Sequence, residues 1–460
     1  MAGVNMLKSR LSLALSGLRG GSTKARALRG SGVTIFHVVA SNVLRLLSNL
    51  VLTRLLFPEA FGLMALMMVF IVGLKLFSDL GIDVLLIQHR RGTDRAFLDT
   101  AWTLQILRGG LLWLVACAIA YPVAAIYEQP QIAAMLPVLS LILIIEGFKT
   151  TKEAEANREL RLERVVALDL ASQVIGLVIM ALLAFLLRSV WAVVFGTLVM
   201  SALRVAAFHA FLPGGRNRLH WDMSIVREAF GFGSFIFLST ICTFLVNMGG
   251  RFILGAHVDI GLFGVFSIAE ILGTAPGLIG MAIAQKVIFP LYRIKPPQES
   301  AENRRNLFKA RRMAASLLIA MLGVLAFIGD WLVQLLYDPR YALAGPMVVL
   351  FALSWIPSAA LAGSNQVLLG FGDSKRHFFL MAAMAAVQIT LSLVGVLTLG
   401  LAGVILAHGL TILLTYPLRV WLISRYDAWD PKGEFGLMGL GFAITGLACW
   451  LQWDSLSALW

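Results

Sequence analysis

Thirteen stretches of this 460-residue chain are apolar over roughly the length that crosses a bilayer, about 20 residues at the helical rise. They lie near residues 31 to 57, 60 to 88, 100 to 127, 130 to 149, 165 to 187, 190 to 211, 229 to 254, 260 to 288, 313 to 336, 344 to 370, 377 to 399, 401 to 423 and 435 to 453. Inside a bilayer every backbone N–H and C=O must be satisfied by the protein, so each stretch is read as a helix. Composition agrees: 59% of the residues are hydrophobic and 14% charged, with a mean hydropathy of +0.84. These values lie outside the range of soluble domains. The chain is therefore predicted to be an all-α, polytopic membrane protein, and nucleic acid is not the expected partner despite a net charge of +13.

The placement of Lys and Arg sets an orientation. Residues 1 to 30 hold six, and the connections near 89 to 99, 149 to 164, 212 to 228, 293 to 312, 371 to 376 and 424 to 434 hold most of the rest. The alternate connections are short and carry only Arg188 and Arg340. This bias predicts a cytoplasmic N-terminus and cytoplasmic basic loops. Leu7, Leu11, Leu15 and Leu18 recur at helical spacing, so residues 1 to 30 read as a basic amphipathic segment on the inner leaflet. Cys117, Cys242 and Cys449 sit singly in apolar runs, which argues against a disulfide framework or a zinc site.

Eight basic residues fall inside the predicted helices, and Arg45 is the most demanding. At 100° per residue, His37, Ser48, Ser41, Arg45, Asn49 and Asn42 share one face of the first helix. A midplane guanidinium on an isolated helix costs at least about 2.5 kcal/mol. The stripe is thus expected to face protein or water, either as the wall of a polar translocation path or as a face satisfied by neighbouring helices. In the second helix Lys75, Asp79 and Asp83 recur every four residues, which suits either a structural pair or cation coupling. The seventh helix repeats the first more lightly, with Thr240, Thr243, Asn247 and Arg251 on one face, and Glu270 is placed to pair with Arg251. Arg54, Arg108, Arg204, Lys286, Arg419 and Glu146 with Lys149 lie toward helix ends and read as interfacial anchors. His209 and His408 are isolated and read as packed or hydrogen-bonded side chains.

A faint internal repeat links Phe61-Gly62-Leu63 after Arg54 to Phe263-Gly264-Val265 after Arg251, and Leu203-Arg204 to Leu418-Arg419. Six helices per half would give both halves the same orientation, hence two lobes in a parallel pseudo-twofold repeat around a central cavity. The boundaries expected are 31–212 for the N-lobe, 213–228 for a linker, 229–423 for the C-lobe and 424–460 for an extension with a thirteenth helix. No G-x-x-x-x-G-K-[ST] phosphate loop, H-E-x-x-H or credible Ser/His/Asp set is present, so the chain reads as a transporter and not an enzyme.

Four strings then acquire meaning together: Gly81-Ile82-Asp83; Thr100 through Gln105 with Arg108-Gly109; Leu212 through Arg218 with Trp221-Asp222; and Phe230 through Thr240 ahead of Arg251. Over roughly Gly30 to Arg425 the chain resembles the polysaccharide-transporter branch of the multidrug/oligosaccharidyl-lipid/polysaccharide flippase superfamily. That resemblance implies alternating access that moves undecaprenyl-diphosphate-linked oligosaccharide across the bacterial inner membrane, coupled to a proton or sodium gradient and without a bound cofactor. It implies a monomer serving lipopolysaccharide, capsule or exopolysaccharide export alongside other assembly proteins. Substrate contacts are expected at Arg45, Asn42, Asn49, Ser41, Asn247, Arg251 and Lys75, and ion coupling at Asp79, Asp83 and Glu270. Where many relatives have Asp before the seventh-helix Arg, this chain has Gly250. The competing expectations are a cation-coupled drug antiporter of the same superfamily, which would favour an acidic path, and an integral-membrane glycosyltransferase, which the short outer connections oppose.

Overall fold

A computed structural model describes residues 23–78, 86, 94–159, 161–230 and 234–459. All regular structure among them is helical. The helices are α1 (Thr23–Leu55), α2 (Pro58–Phe77), α3 (Arg95–Ile126), α4 (Gln131–Leu139), α5 (Leu141–Gly147), α6 (Lys152–Arg158), α7 (Leu162–Leu187), α8 (Val190–Phe211), α9 (Met223–Phe230) and α10 (Ser234–Gly255). They continue as α11 (Ile260–Gly273), α12 (Ala275–Ile283), α13 (Phe289–Ile294), α14 (Ala301–Leu336), α15 (Ala344–Ser354), α16 (Ile356–Ala360), α17 (Gln366–Gly370), α18 (Ser374–Leu414), α19 (Tyr416–Ile423), α20 (Pro431–Leu451) and α21 (Trp453–Ser457). Among the described residues, 11 helices are long and apolar enough to cross a membrane, or up to 12 when the bent pair Gln131–Gly147 and Lys152–Arg158 counts as one span. The chain is a multi-pass membrane protein. The amphipathic segment expected before Thr23 lies outside the described residues.

Several predicted loops and ends differ for local reasons. The basic connection 293 to 312 is mostly helix, because Ser300 accepts a hydrogen bond from the Asn303 N–H and starts α14 well before its apolar part. Residues 149 to 164 contain α6, bent by 57° from the helices before it. The eleventh and twelfth predicted helices join in α18, where Gly400 takes a non-helical φ of 58° at the break, a conformation open to glycine at no steric cost. The thirteenth helix is present as α20, with Pro431 in its first turn and the Asp430 carboxylate accepting from the Gly433 N–H.

The chain forms two compact units. The first is built from the described residues of Met1–Leu55, Ser78–Pro122 and Pro130–Phe232; the second from those of Leu56–Phe77, Val123–Gln129 and Gly233–Trp460. The sequence boundary at 213 to 228 falls just before this division, whereas α2 groups with the second unit. In the first unit α7 packs along α8 and α1. In the second, α10 packs along α18, α14 along α15 and α20, and α2 along α11. At the α2–α11 crossing a Cβ on Gly62 would come within 2.0 Å of the Ile260 carbonyl oxygen, and one on Gly264 within 1.9 Å of that of Pro58. The two Phe-Gly strings that suggested a repeat thus meet as the closest backbone approach between these helices, the role small residues play in membrane helix packing.

Candidate functional site

The polar stripe of α1 divides into a bonded end and an open end. At the bonded end His37 Nε2 lies 2.6 Å from Asp169 Oδ2 on α7. One turn further along each helix, Gln173 Nε2 donates to Ser41 Oγ at 3.1 Å and to Asp169 Oδ2 at 2.6 Å. The other Asp169 oxygen accepts from Arg204 Nε at 2.5 Å, and Arg204 Nη2 reaches Glu153 Oε1 at 3.2 Å. Glu153 in turn faces Lys149 Nζ at 3.5 Å. Asp169 is buried, and the spacing that makes this possible is elementary: Asp169 and Gln173, four residues apart, share the face of α7 turned to α1.

This overturns the reading of Arg204 as an interfacial anchor. Its guanidinium joins two carboxylates and lies 4.8 Å from the centre of the Phe208 ring, an arrangement suited to a planar fork in a poorly solvated place. Asp169, which holds the network together, was missed. Its signal was a lone acid four residues before a glutamine in an otherwise apolar run.

The open end of the stripe holds Arg45. It is exposed and its side chain makes no hydrogen bond or ion pair among the described residues. Asn42 donates to the Val38 carbonyl of its own helix at 2.8 Å, while the Asn49 amide nitrogen is buried with no hydrogen-bond partner. Lys75 is half-buried in the last turn of α2. Asp79 and Asp83 lie outside the described residues.

In the second unit the predicted pair forms: Arg251 Nε donates to Glu270 Oε2 at 2.7 Å, from α10 to α11. Thr243 and Asn247 bond back to carbonyls one turn earlier, and Asn247 remains exposed. Gly250 has a packing reason, since a Cβ there would lie 3.1 Å from Val404 Cγ1 on α18. The carboxylate partner of Arg251 therefore comes from α11 and not from the preceding residue.

A second polar cluster ties α20 to α14. Arg311 donates to Glu434 Oε1 at 2.6 Å and to the Ala428 carbonyl at 2.6 Å, and the Tyr416 hydroxyl donates to Glu434 Oε2 at 2.8 Å. Arg312 forms a two-pronged contact with Asp430 at 2.7 and 2.6 Å. Burial alone would push the Asp430 carboxyl up, but the Arg312 fork, the Gly433 N–H and the Arg311 charge together hold it below the usual carboxylate value. Arg419, expected at the interface, is only 2% exposed. It donates to Ser364 Oγ and Met384 Sδ and has no carboxylate partner among the described residues. The correction has a simple cause, for α19 turns that face inward onto the packed core containing Leu422, Ile423 and Met384. His408 is stacked on Trp355 at 4.6 Å, and His209 lies 2.7 Å from the Phe148 carbonyl, the ordinary packed and bonded roles expected of them.

With this geometry in place, the comparison with known proteins is specific. Residues 51–344 match the family described as "Polysaccharide biosynthesis protein". The chain belongs to this family. It is similar to the teichuronic acid biosynthesis protein TuaB of Bacillus subtilis, 23% identical over 65% of this chain and 62% of the relative. It is also similar to the lipopolysaccharide biosynthesis protein WzxC of Escherichia coli, 22% identical over 66% of this chain and 60% of the relative. The match thus spans about three-fifths of these relatives' own length. Among solved structures, the lipid II flippase MurJ in an inward closed conformation has a TM-score of 0.68 at 13% identity, covering 91% of this chain and 92% of that one. An inward-facing multidrug resistance MATE family transporter has a TM-score of 0.66 at 14% identity, covering 84% and 95%. Both show the fold: a two-lobed, all-helical membrane architecture.

Proposed function

We propose that this protein is a flippase that moves undecaprenyl-diphosphate-linked oligosaccharide from the cytoplasmic to the outer leaflet of a bacterial inner membrane by alternating access. The observation that carries the reading is Arg45, an exposed guanidinium without a counter-ion among the described residues, on a helix whose length and hydropathy suit a membrane span. A diphosphate crossing a low-dielectric region needs such a charge, and a planar donor fork suits phosphate oxygens. Ser41, Asn42 and Asn49 would meet sugar hydroxyls along the same stripe. The family match and the naming of the relatives for teichuronic acid and lipopolysaccharide biosynthesis support the substrate class. Lys and Arg placement supports a cytoplasmic N-terminus.

Coupling to a proton or sodium gradient is assigned to Glu270, with Asp79 and Asp83. Protonating Glu270 would free Arg251 from its ion pair and bias one access state over the other. A drug/cation antiporter would need carboxylates open to a cationic compound, yet Asp169, Glu153 and Glu270 are each bonded to arginine.

Purified protein reconstituted in liposomes with a fluorescent polyprenyl-diphosphate sugar tests the reading. Flipping should rise with an imposed gradient, fall in Arg45→Lys and be mostly lost in Arg45→Ala. The unfolding free energy of Arg45→Ala should stay within about 0.5 kcal/mol of the parent, because no side-chain contact among the described residues is broken. Equal transport of an uncharged lipid-sugar would remove the diphosphate contact from the mechanism.

A further inference from the structure

The outward face of α14 carries charge that the fold itself does not use. The helix has 36 residues, about 54 Å at helical rise, well beyond the roughly 20 residues that cross the hydrocarbon. Residues 301 to 312 of this helix include Arg304, Arg305, Lys309, Arg311 and Arg312. Arg311 turns inward to Glu434, and Arg312 holds Asp430. Arg304, Arg305 and Lys309 are exposed, and their side chains make no hydrogen bond or ion pair among the described residues.

For Arg304, in the first turn, the position is electrostatically unfavourable. A helix N-terminus already bears about half a positive charge, which favours acids there and disfavours bases. Glu302 alone answers it in the first turn. The three unpaired cations border a hollow of about 780 Å³ together with Phe308, Arg312 and Met313. Further along α14 the exposed surface is apolar: Met313 is 65%, Leu317 50% and Val324 58% exposed. A cationic, open surface hollow is thus followed along the helix by a strip fit for a lipid tail.

The geometry points to this hollow as the place where the lipid diphosphate docks from the leaflet before it is carried across, a reading that rests on the flippase function proposed above. Three unpaired cations match the charge of a diphosphate better than that of a single phosphodiester. Arg304 and Arg305 offer planar forks to the phosphate oxygens and Lys309 a point charge, while the polyprenyl chain lies along Met313, Leu317 and Val324. The cations lie at the start of α14, ahead of its apolar part, and basic side chains flanking a span draw anionic lipid.

The test uses full-length protein in neutral-lipid nanodiscs, titrated with fluorescent polyprenyl diphosphate and, separately, with phosphatidylglycerol. The triple variant Arg304→Gln, Arg305→Gln, Lys309→Gln changes only exposed side chains, and Arg188→Gln is the control for loss of charge alone. At least a tenfold loss of diphosphate-lipid affinity in the triple variant, none in Arg188→Gln, and preference for the diphosphate over phosphatidylglycerol support the proposal. Unchanged affinity in the triple variant, or equal binding of phosphatidylglycerol, overturns it and leaves the flippase reading standing. Failure of the parent protein to bind polyprenyl diphosphate at all overturns both.

Discussion

Two polar clusters of similar chemistry are held very differently. Around Asp169 in the first unit, His37 and Arg204 are about a third exposed, at 30% and 33%. Around Glu434 in the second unit, Arg311 and the carboxylate are 4% and 2% exposed. Sealing raises the cost of breaking a pair, since a lone buried charge has neither partner nor water. The Glu434 cluster therefore acts as a fixed clasp that secures α20. The Asp169 network, with its partners about a third exposed, is the more open to exchange of partners.

The largest effect is expected at the clasp. Glu434→Gln leaves Arg311 buried beside a neutral amide and should cost about 3–5 kcal/mol, read as a fall in thermal midpoint and folded yield in detergent. Pairing Arg311→Met with Glu434→Leu should recover much of that loss, because replacing both charges removes the desolvation penalty along with the attraction. A single variant as stable as the parent would show that the cluster is not sealed.

Asp169→Asn comes next. It removes the charge and one of the two acceptor oxygens that serve Arg204, His37 and Gln173, but partners about a third exposed can be re-solvated, so the expected loss is about 1–3 kcal/mol. A loss as large as that of Glu434→Gln would erase the distinction between the two clusters.

What the sequence made legible follows the same division between local and distant. Apolar length revealed the membrane helices, including α20, and two residues 19 positions apart across one short connection made the Arg251–Glu270 pair foreseeable. Face-sharing within one helix picked out the stripe of α1. Partners 35 to 132 positions apart, such as Arg204 and His37 with Asp169, leave no periodic trace. Arg419 was misplaced for a related reason: a charge near a helix end looks interfacial until the neighbouring helices are known to cover it. Lobe boundaries read from helix counting also could not register that α2 packs with α11, a contact made by glycines two hundred residues apart.

The smallest effect concerns pH and lies outside the membrane segments, at Asp430 and Asp373. Burial pushes the Asp373 carboxyl up, but the Tyr426 hydroxyl and the Arg376 N–H and guanidinium outweigh it and hold the group below its ordinary value. Asp430 is depressed in the same sense by Arg312. A carboxyl whose value is lower in the folded than in the unfolded chain adds stability above the unfolded value, about 3.9. That contribution disappears as pH falls through the folded value. The contribution of these two groups to the thermal midpoint should therefore be flat from about pH 8 to 5 and decline only below about pH 4. In Arg312→Gln the Asp430 carboxyl returns toward its unfolded value, so the acid-induced decline should be shallower than in the parent, while the midpoint at neutral pH drops slightly. Because Arg312 is 48% exposed, the shift should be well below that of Glu434→Gln, the order expected if sealing and not charge count sets the strength of each contact. Parallel acid profiles for parent and Arg312→Gln would show that Asp430 titrates alike in the folded and unfolded chain, and that the outer part of the clasp holds α20 by packing alone.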